Sequence, residues 1–137
     1  MLVVDDDPVS LLVSQHILRT GNYDVVTAVD AEAAMAILRA DAHGITAIVS
    51  DYHMPGASGL DLLEILTADG EIEHQPPFVL LTGVGEADEL NDKRAELVSG
   101  YLTKPVQSNE LLAIVAELEK QNATDRAQRV NCDTTTL

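Results

Sequence analysis

One cysteine, one phenylalanine, no tryptophan and eight basic residues are the scarcities of this 137-residue chain. With Cys132 alone, no internal disulfide can form. Aromatics make up 3% of the residues against 46% hydrophobic, so the core must be aliphatic. Lys and Arg total 8 against 23 Asp and Glu, a formal net charge of −15. Asp125, Arg126, Arg129 and Asp133 cancel, which places the excess in residues 1–120. Such a surface repels phosphate backbones and anionic lipids. The one adjacent basic pair, Lys93-Arg94, reads as a solvated helix face. No apolar run reaches the ~20 residues of a membrane span, and no basic start leads into a long apolar core, as a secretory signal would. The expectation is a soluble cytoplasmic protein with no nucleic-acid or membrane partner.

What is present is a repeated arrangement: four short apolar runs, each stopped by a reactive polar residue. Leu2-Val3-Val4 runs into Asp5, Asp6 and Asp7, and Ile45 to Ser50 runs into Asp51. Phe78 to Leu81 runs into Thr82, and Tyr101-Leu102-Thr103 runs into Lys104-Pro105. Separated by helix-length segments, these runs predict parallel strands in a βα alternation. Asp7-Pro8 opens the first helix, with an acid at the cap and proline at the first helical position. Leu11, Leu12, Ile17 and Leu18 are its expected core contacts, and Gly21 its stop. Tyr23 to Val29 is the second strand, and Asp30 caps an alanine-rich helix ending near Gly44. A turn-rich loop from Met54 to Gly59 precedes a helix from Leu60 to about Ala68. Helices over 86–98 and about 108–120 complete five βα units, an α/β fold with a doubly wound, five-stranded parallel sheet. Residues 1–120 form one domain, and the polar residues 121–137 a flexible tail or linker stub.

In an open parallel sheet, ligands bind beyond the carboxyl ends of the strands. Asp5, Asp6, Asp51, Thr82 and Lys104 are therefore expected along one edge. Two like charges ~4 Å apart repel by about 4 kcal/mol at an effective dielectric of ~20, a large share of a domain's net stability. A divalent cation or a proton relieves that repulsion. Oxygen-only ligands beside a phosphate suit Mg²⁺ or Mn²⁺ rather than zinc. His16, His43, His53 and His74 are scattered and show no ligand spacing. Carboxylates, a hydroxyl and an ammonium together suit a metal ion and a phosphoryl group. Taken singly, each residue has a plainer explanation. Asp51 reads as a turn former, Thr82 as part of a turn before Gly83, Lys104 as a solvated lysine, and Tyr101 as a half-buried strand aromatic. Asp7 is fully explained as a cap.

Together, Asp5-Asp6 after a strand, Asp51-Tyr52-His53-Met54-Pro55-Gly56-Ala57-Ser58-Gly59, Leu81-Thr82-Gly83 and Lys104-Pro105 resemble the receiver domain of two-component response regulators. The likeness spans residues 1 to about 120, in the family's order. It implies the CheY-like, flavodoxin-like strand order 2-1-3-4-5. It implies that Asp51 is the phosphoacceptor, supplied by a phosphohistidine on a sensor histidine kinase or histidine phosphotransfer protein. Asp6, Asp51 and the backbone carbonyl of His53 would hold Mg²⁺ (or Mn²⁺), with Asp5 acting through water. Lys104 and Thr82 would contact the phosphoryl oxygens, and Tyr101 would be the aromatic switch that follows Thr82. Lys104-Pro105 would be a cis bond. His53 and Val84 match two positions that flank the phosphoryl site and influence access of water to it. Val84 is expected to shield the aspartyl phosphate. Output would pass through the face of the fourth helix, fifth strand and fifth helix to a separate protein, or the phosphoryl group would be handed on in a phosphorelay. The chain would be a monomer or weak dimer and no dedicated enzyme, catalysing only its own aspartyl phosphorylation and dephosphorylation.

Two other classes compete. One is a receiver-shaped binding module that works without phosphorylation; intact Asp51, Thr82 and Lys104 argue against it. The other is a phosphohydrolase of the haloacid-dehalogenase type, whose nucleophile pattern Asp5-Asp6-Asp7-Pro8-Val9 matches. That fold needs a later acidic pair after its lysine strand, and it leaves Asp51 without a role.

Overall fold

The computed structural model describes residues 1–41, 44–54, 56–69, 76–83 and 97–120. Most of the helix expected over 86–98, residue Val84 and the tail 121–137 lie outside them. The elements are β1 (Leu2–Val4), α1 (Pro8–Thr20), β2 (Val26–Ala28), α2 (Ala31–Asp41), β3 (Ile48–Asp51), α3 (Gly59–Ala68), β4 (Phe78–Thr82) and β5 (Gly100–Thr103). Residues 108–120 are helical and follow β5. The strands form one sheet in the order β2-β1-β3-β4-β5, every pairing parallel. This is the expected doubly wound order, with β1 and β3 adjacent at its centre.

The period of two along each strand divides the core. Leu2, Val4, Ile48, Phe78 and Leu80 point to one face and pack with Ala34, Met35 and Leu38 of α2 and Leu60, Leu62, Leu63 and Leu66 of α3. Val3, Val49, Val79 and Leu81 point to the other, against Ile17 and Leu18 of α1 and Leu111, Val115 and Leu118 of the C-terminal helix. Strands buried on both faces read as continuous apolar runs, which is why they were legible.

The helix starts are set by side chains that satisfy otherwise unpaired N–H groups. The Asp7 carboxylate accepts from Val9 N–H at 3.1 Å, with Pro8 opening α1. Asp30 accepts from Ala33 N–H at 2.7 Å at the start of α2. Ser58 and Asp61 form a reciprocal capping box on α3. That box places the first helical residue at Gly59, one earlier than the sequence pattern predicts.

Two other expectations are corrected. The second strand is not Tyr23–Val29 but Val26–Ala28: it lies at the sheet edge and pairs only with β1, whose three residues limit the ladder. Leu12 is not a core contact but 66% exposed. The buried line of α1 runs through Ser14, Ile17 and Leu18, with Leu11 packed against it. Leu12 stands ~100° around the helix from Leu11 and points away.

Gly59 joins the fold to the sheet edge. A Cβ there would lie 2.5 Å from the Asp51 carbonyl oxygen and 2.7 Å from Leu80 Cδ1. The backbone oxygen cannot yield without moving the end of β3. Gly59→Ala is therefore expected to cost about 1–3 kcal/mol, measured by urea unfolding.

Candidate functional site

The site is built at one sheet edge by strand ends. β1 ends at Val4, delivering Asp5 and Asp6; Asp51 and Thr82 are the last residues of β3 and β4; Lys104 follows β5. Backbone hydrogen bonds fix these exits. Asp5 N–H donates to the Ala28 carbonyl at 3.1 Å, Tyr52 N–H to Leu81 at 2.9 Å, and Lys104 N–H to Thr82 at 2.7 Å. The Lys104-Pro105 peptide is cis.

Carboxylate oxygens of Asp5, Asp6 and Asp51 lie within 4.8 Å of one another. Asp5 and Asp51 are buried, whereas Asp6 is exposed. The Lys104 ammonium stands 3.2 Å from Asp51 Oδ1 and 3.3 Å from Asp5 Oδ2. The other oxygen of Asp5 accepts from Asp7 N–H at 2.9 Å. The two buried acids thus share one ammonium, with the exposed Asp6 alongside. Burial, then the charge of Asp5, raises the Asp51 pKa above its ordinary 3.8; Lys104 opposes the rise and Asp6 adds to it. Burial by itself would lower the Lys104 pKa, but the Asp5 and Asp51 carboxylates outweigh it and leave the value above 10.5.

These shifts fix two signs. Between pH 3.8 and its raised folded value, Asp51 holds more protons folded than unfolded, so stability falls as pH rises through that window. The Lys104 contribution is complete below pH 10.5 and is lost as pH rises through its folded value. In metal-free buffer, the difference in urea midpoint between Asp51→Asn and the parent is expected to grow in the variant's favour as pH climbs above 3.8. A pH-independent difference would contradict the electrostatic account.

Thr82 is fully buried, and its hydroxyl has no hydrogen-bond partner among the described residues. Buried polar groups are nearly always paired, so this orphan marks a place for an acceptor. Tyr101 pairs with Leu80 in the β4–β5 ladder, two positions before the Thr82–Thr103 pair, and is 38% exposed. His53 is exposed, its ring edge-on to Tyr52 with centroids 4.7 Å apart. The structure therefore brings Asp5, Asp6, Asp51 and Lys104 into one constellation, with Thr82 on the adjoining strand end.

One contact and one contributor were missed from the sequence. Lys104, expected at the phosphoryl oxygens, spans the two buried acids, which depends on the depth of Asp5. Gly59 provides clearance behind Asp51; its signal is the Ser-Gly step just before an apolar helix.

This arrangement can hold a divalent cation and neutralise a phosphoryl group. The acid cluster fits such an ion: its donors are all oxygen, its excess charge is negative, and Asp6 leaves it open to solvent.

A model of the response regulator receiver domain matches residues 1–116. The two-component response regulator ORR24 of Oryza sativa subsp. indica is 29% identical over 133 residues, 97% of this chain and 21% of that protein. The chain thus spans about a fifth of the length of that curated relative. Among solved structures, the response regulator receiver domain protein from Clostridium thermocellum superposes with a TM-score of 0.79 at 25% identity, covering 90% of this chain and 95% of that one. The chemotaxis response regulator CheY4 of Vibrio cholerae gives 0.72 at 26% identity, covering 85% and 95%.

Proposed function

The chain belongs to the response regulator receiver domain family, and from that premise we propose that Asp51 accepts a phosphoryl group from a phosphohistidine on a sensor histidine kinase or histidine phosphotransfer protein. The observation that carries the reading is the Asp51 carboxylate 3.2 Å from the Lys104 ammonium, with two further acids within 4.8 Å.

In the proposed transfer, an Asp51 oxygen attacks phosphorus in line. The P–N bond to the donor imidazole breaks, and its electron pair leaves with the ring nitrogen. The protein's part is positioning and neutralisation of the equatorial oxygens. Lys104 exchanges its carboxylate contacts for a phosphoryl oxygen, and the Thr82 hydroxyl, without a partner among the described residues, donates to another. Asp6, Asp51 and the His53 carbonyl would hold Mg²⁺ (or Mn²⁺), with Asp5 contributing through water. When bound, the cation supplies positive charge at the phosphoryl oxygens.

Capture of Thr82 is the local event, and Tyr101 is the switch that reports it. A dianion biases a two-state element only through its differential stabilisation of the two states. Readout passes through β5, the helix after it and the segment expected from the sequence to be the fourth helix, to a separate output protein or along a phosphorelay. Residues 1–120 are the receiver and 121–137 a tail or linker stub of a cytoplasmic protein, monomeric or weakly dimeric. The family is not one of dedicated enzymes, and the only catalysis proposed is of this chain's own phosphorylation and dephosphorylation.

Millimolar Mg²⁺ and acetyl phosphate are expected to add about 80 Da to the intact mass, and EDTA to prevent it. Sustained turnover of p-nitrophenyl phosphate without an adduct would indicate a phosphohydrolase instead.

A further inference from the structure

Ser50 directly precedes Asp51 and is fully buried, and its hydroxyl donates to the backbone carbonyl of Asp51 at 3.0 Å. The sheet explains why that carbonyl lacks another donor. Successive residues of a parallel strand direct their backbone groups to opposite neighbours. In β3 the even-numbered residues face β4: Ile48 N–H donates to the Pro77 carbonyl at 2.8 Å, and Tyr52 N–H to Leu81 at 2.9 Å. The odd-numbered residues face β1, where Leu2 N–H donates to the Ala47 carbonyl at 3.0 Å. Asp51 therefore faces β1, but β1 ends at Val4, opposite Ser50. The next residue, Asp5, turns its N–H the other way, to Ala28 of β2. Among the described residues, no backbone N–H reaches the Asp51 carbonyl. Buried carbonyls are nearly always paired, and here the Ser50 hydroxyl does the pairing.

The contacts around this peptide leave it little freedom. Its oxygen is held by Ser50 and its nitrogen, that of Tyr52, by Leu81. The Tyr52 carbonyl accepts from Gly59 N–H at 2.9 Å. A Cβ on Gly59 would lie 2.5 Å from the Asp51 oxygen and 3.2 Å from Ser50 Oγ, so the hydroxyl and the carbonyl are packed against the start of α3. The orientation of this peptide fixes the backbone from which the Asp51 carboxylate projects to Lys104, 3.2 Å away. Given the reading of Asp51 as phosphoacceptor, on which this inference rests, we propose that Ser50 is a positioning residue for the transfer. Its hydroxyl holds the Asp51 peptide so that the carboxylate oxygen meets phosphorus in line. Ser50 itself acts only through Asp51. In-line attack tolerates little error, since a displacement of ~1 Å can cost about a hundredfold in rate.

The test is the rate of the Asp51 adduct with acetyl phosphate in saturating Mg²⁺, followed by intact mass. Ser50→Ala is expected to lower the rate constant at saturating acetyl phosphate by roughly tenfold or more, leaving the half-saturating concentration essentially unchanged. Ser50→Thr returns a hydroxyl and is expected to recover most of the rate. Ser14→Ala is the control for removing a buried serine. The Ser14 hydroxyl is buried in α1 with no partner among the described residues, and its loss is expected to leave the rate unchanged. Thermal melting establishes that each variant is folded at the assay temperature. Should Ser50→Ala not fold, Ser50→Cys keeps the shape with a weaker donor and is expected to slow the transfer in the same way. Modification of Ser50→Ala, or in its place Ser50→Cys, at the parent's rate would overturn the proposal. So would a loss that Ser50→Thr does not recover, or one expressed only in the half-saturating concentration. A parent that gains no adduct at Asp51 would overturn the acceptor reading itself, and the proposal with it.

Discussion

Asp51→Asn is expected to do two opposite things: abolish the phosphoryl adduct and raise the melting temperature of the metal-free protein. The first follows from the absence of a nucleophilic carboxylate oxygen. The second follows from the company Asp51 keeps. It is buried, and its pKa is raised by burial and by the charge of Asp5. At a separation of ~4 Å and an effective dielectric of ~20, each carboxylate pair contributes about 4 kcal/mol of repulsion, and the Lys104 ammonium returns a similar amount of attraction. The amide keeps the shape of the side chain and removes the charge. Lys104 keeps its second partner, Asp5, at 3.3 Å. Asp6 is exposed and its repulsion is screened by solvent, so the Asp5 and Lys104 interactions nearly cancel, and relief of burial leaves a net gain on the order of 1 kcal/mol, or about 4 °C in a domain of this size. Differential scanning calorimetry in EDTA at neutral pH measures it. A lower melting temperature would mean that the Lys104 pairing outweighs the acid–acid repulsion.

Mg²⁺ is expected to raise the melting temperature of the parent, and Asp6→Asn to cancel most of that rise. A ligand that binds only the folded state stabilises it by RT ln(1 + [L]/Kd), about 1.4 kcal/mol at ten times Kd. Here the gain has a structural source, because the cation relieves repulsion among three carboxylates gathered within 4.8 Å. Asp6 is the informative substitution, being the exposed member of the set and outside the Lys104 contacts. Its loss removes a ligand without leaving a buried charge unpaired. An unchanged midpoint in millimolar Mg²⁺ would count against the metal assignment, and an undiminished Mg²⁺ effect in Asp6→Asn against the role of that residue.

Much of this architecture was legible in the sequence for a physical reason. Strands covered on both faces must be continuously apolar, so the residue that ends each run is conspicuous, and parallel pairing sends all those ends to one edge. Asp5, Asp6, Asp51, Thr82 and Lys104 were picked out in that way. What was not legible depends on neighbours rather than on local pattern. β2 is shorter than its apolar run because its only partner is a three-residue strand. Leu12 looks like a core leucine, but it stands ~100° around the helix from Leu11 and faces solvent, while Ser14 joins Ile17 and Leu18 on the buried line of α1. The contact of Lys104 with Asp5 joins residues 99 positions apart, and no local spacing announces it.

The central claim is that distant segments converge to make one carboxylate, Asp51, the acceptor. The most direct test is to phosphorylate the protein with acetyl phosphate and Mg²⁺, trap the acyl phosphate by borohydride reduction, and locate the modified residue by peptide mass spectrometry. Modification at Asp51 alone, absent from Asp51→Asn and strongly reduced in Lys104→Ala, is the expected result. Modification at Asp5, Asp6 or Asp7 with Asp51 untouched, or an adduct of full intensity in Asp51→Asn, would contradict the account.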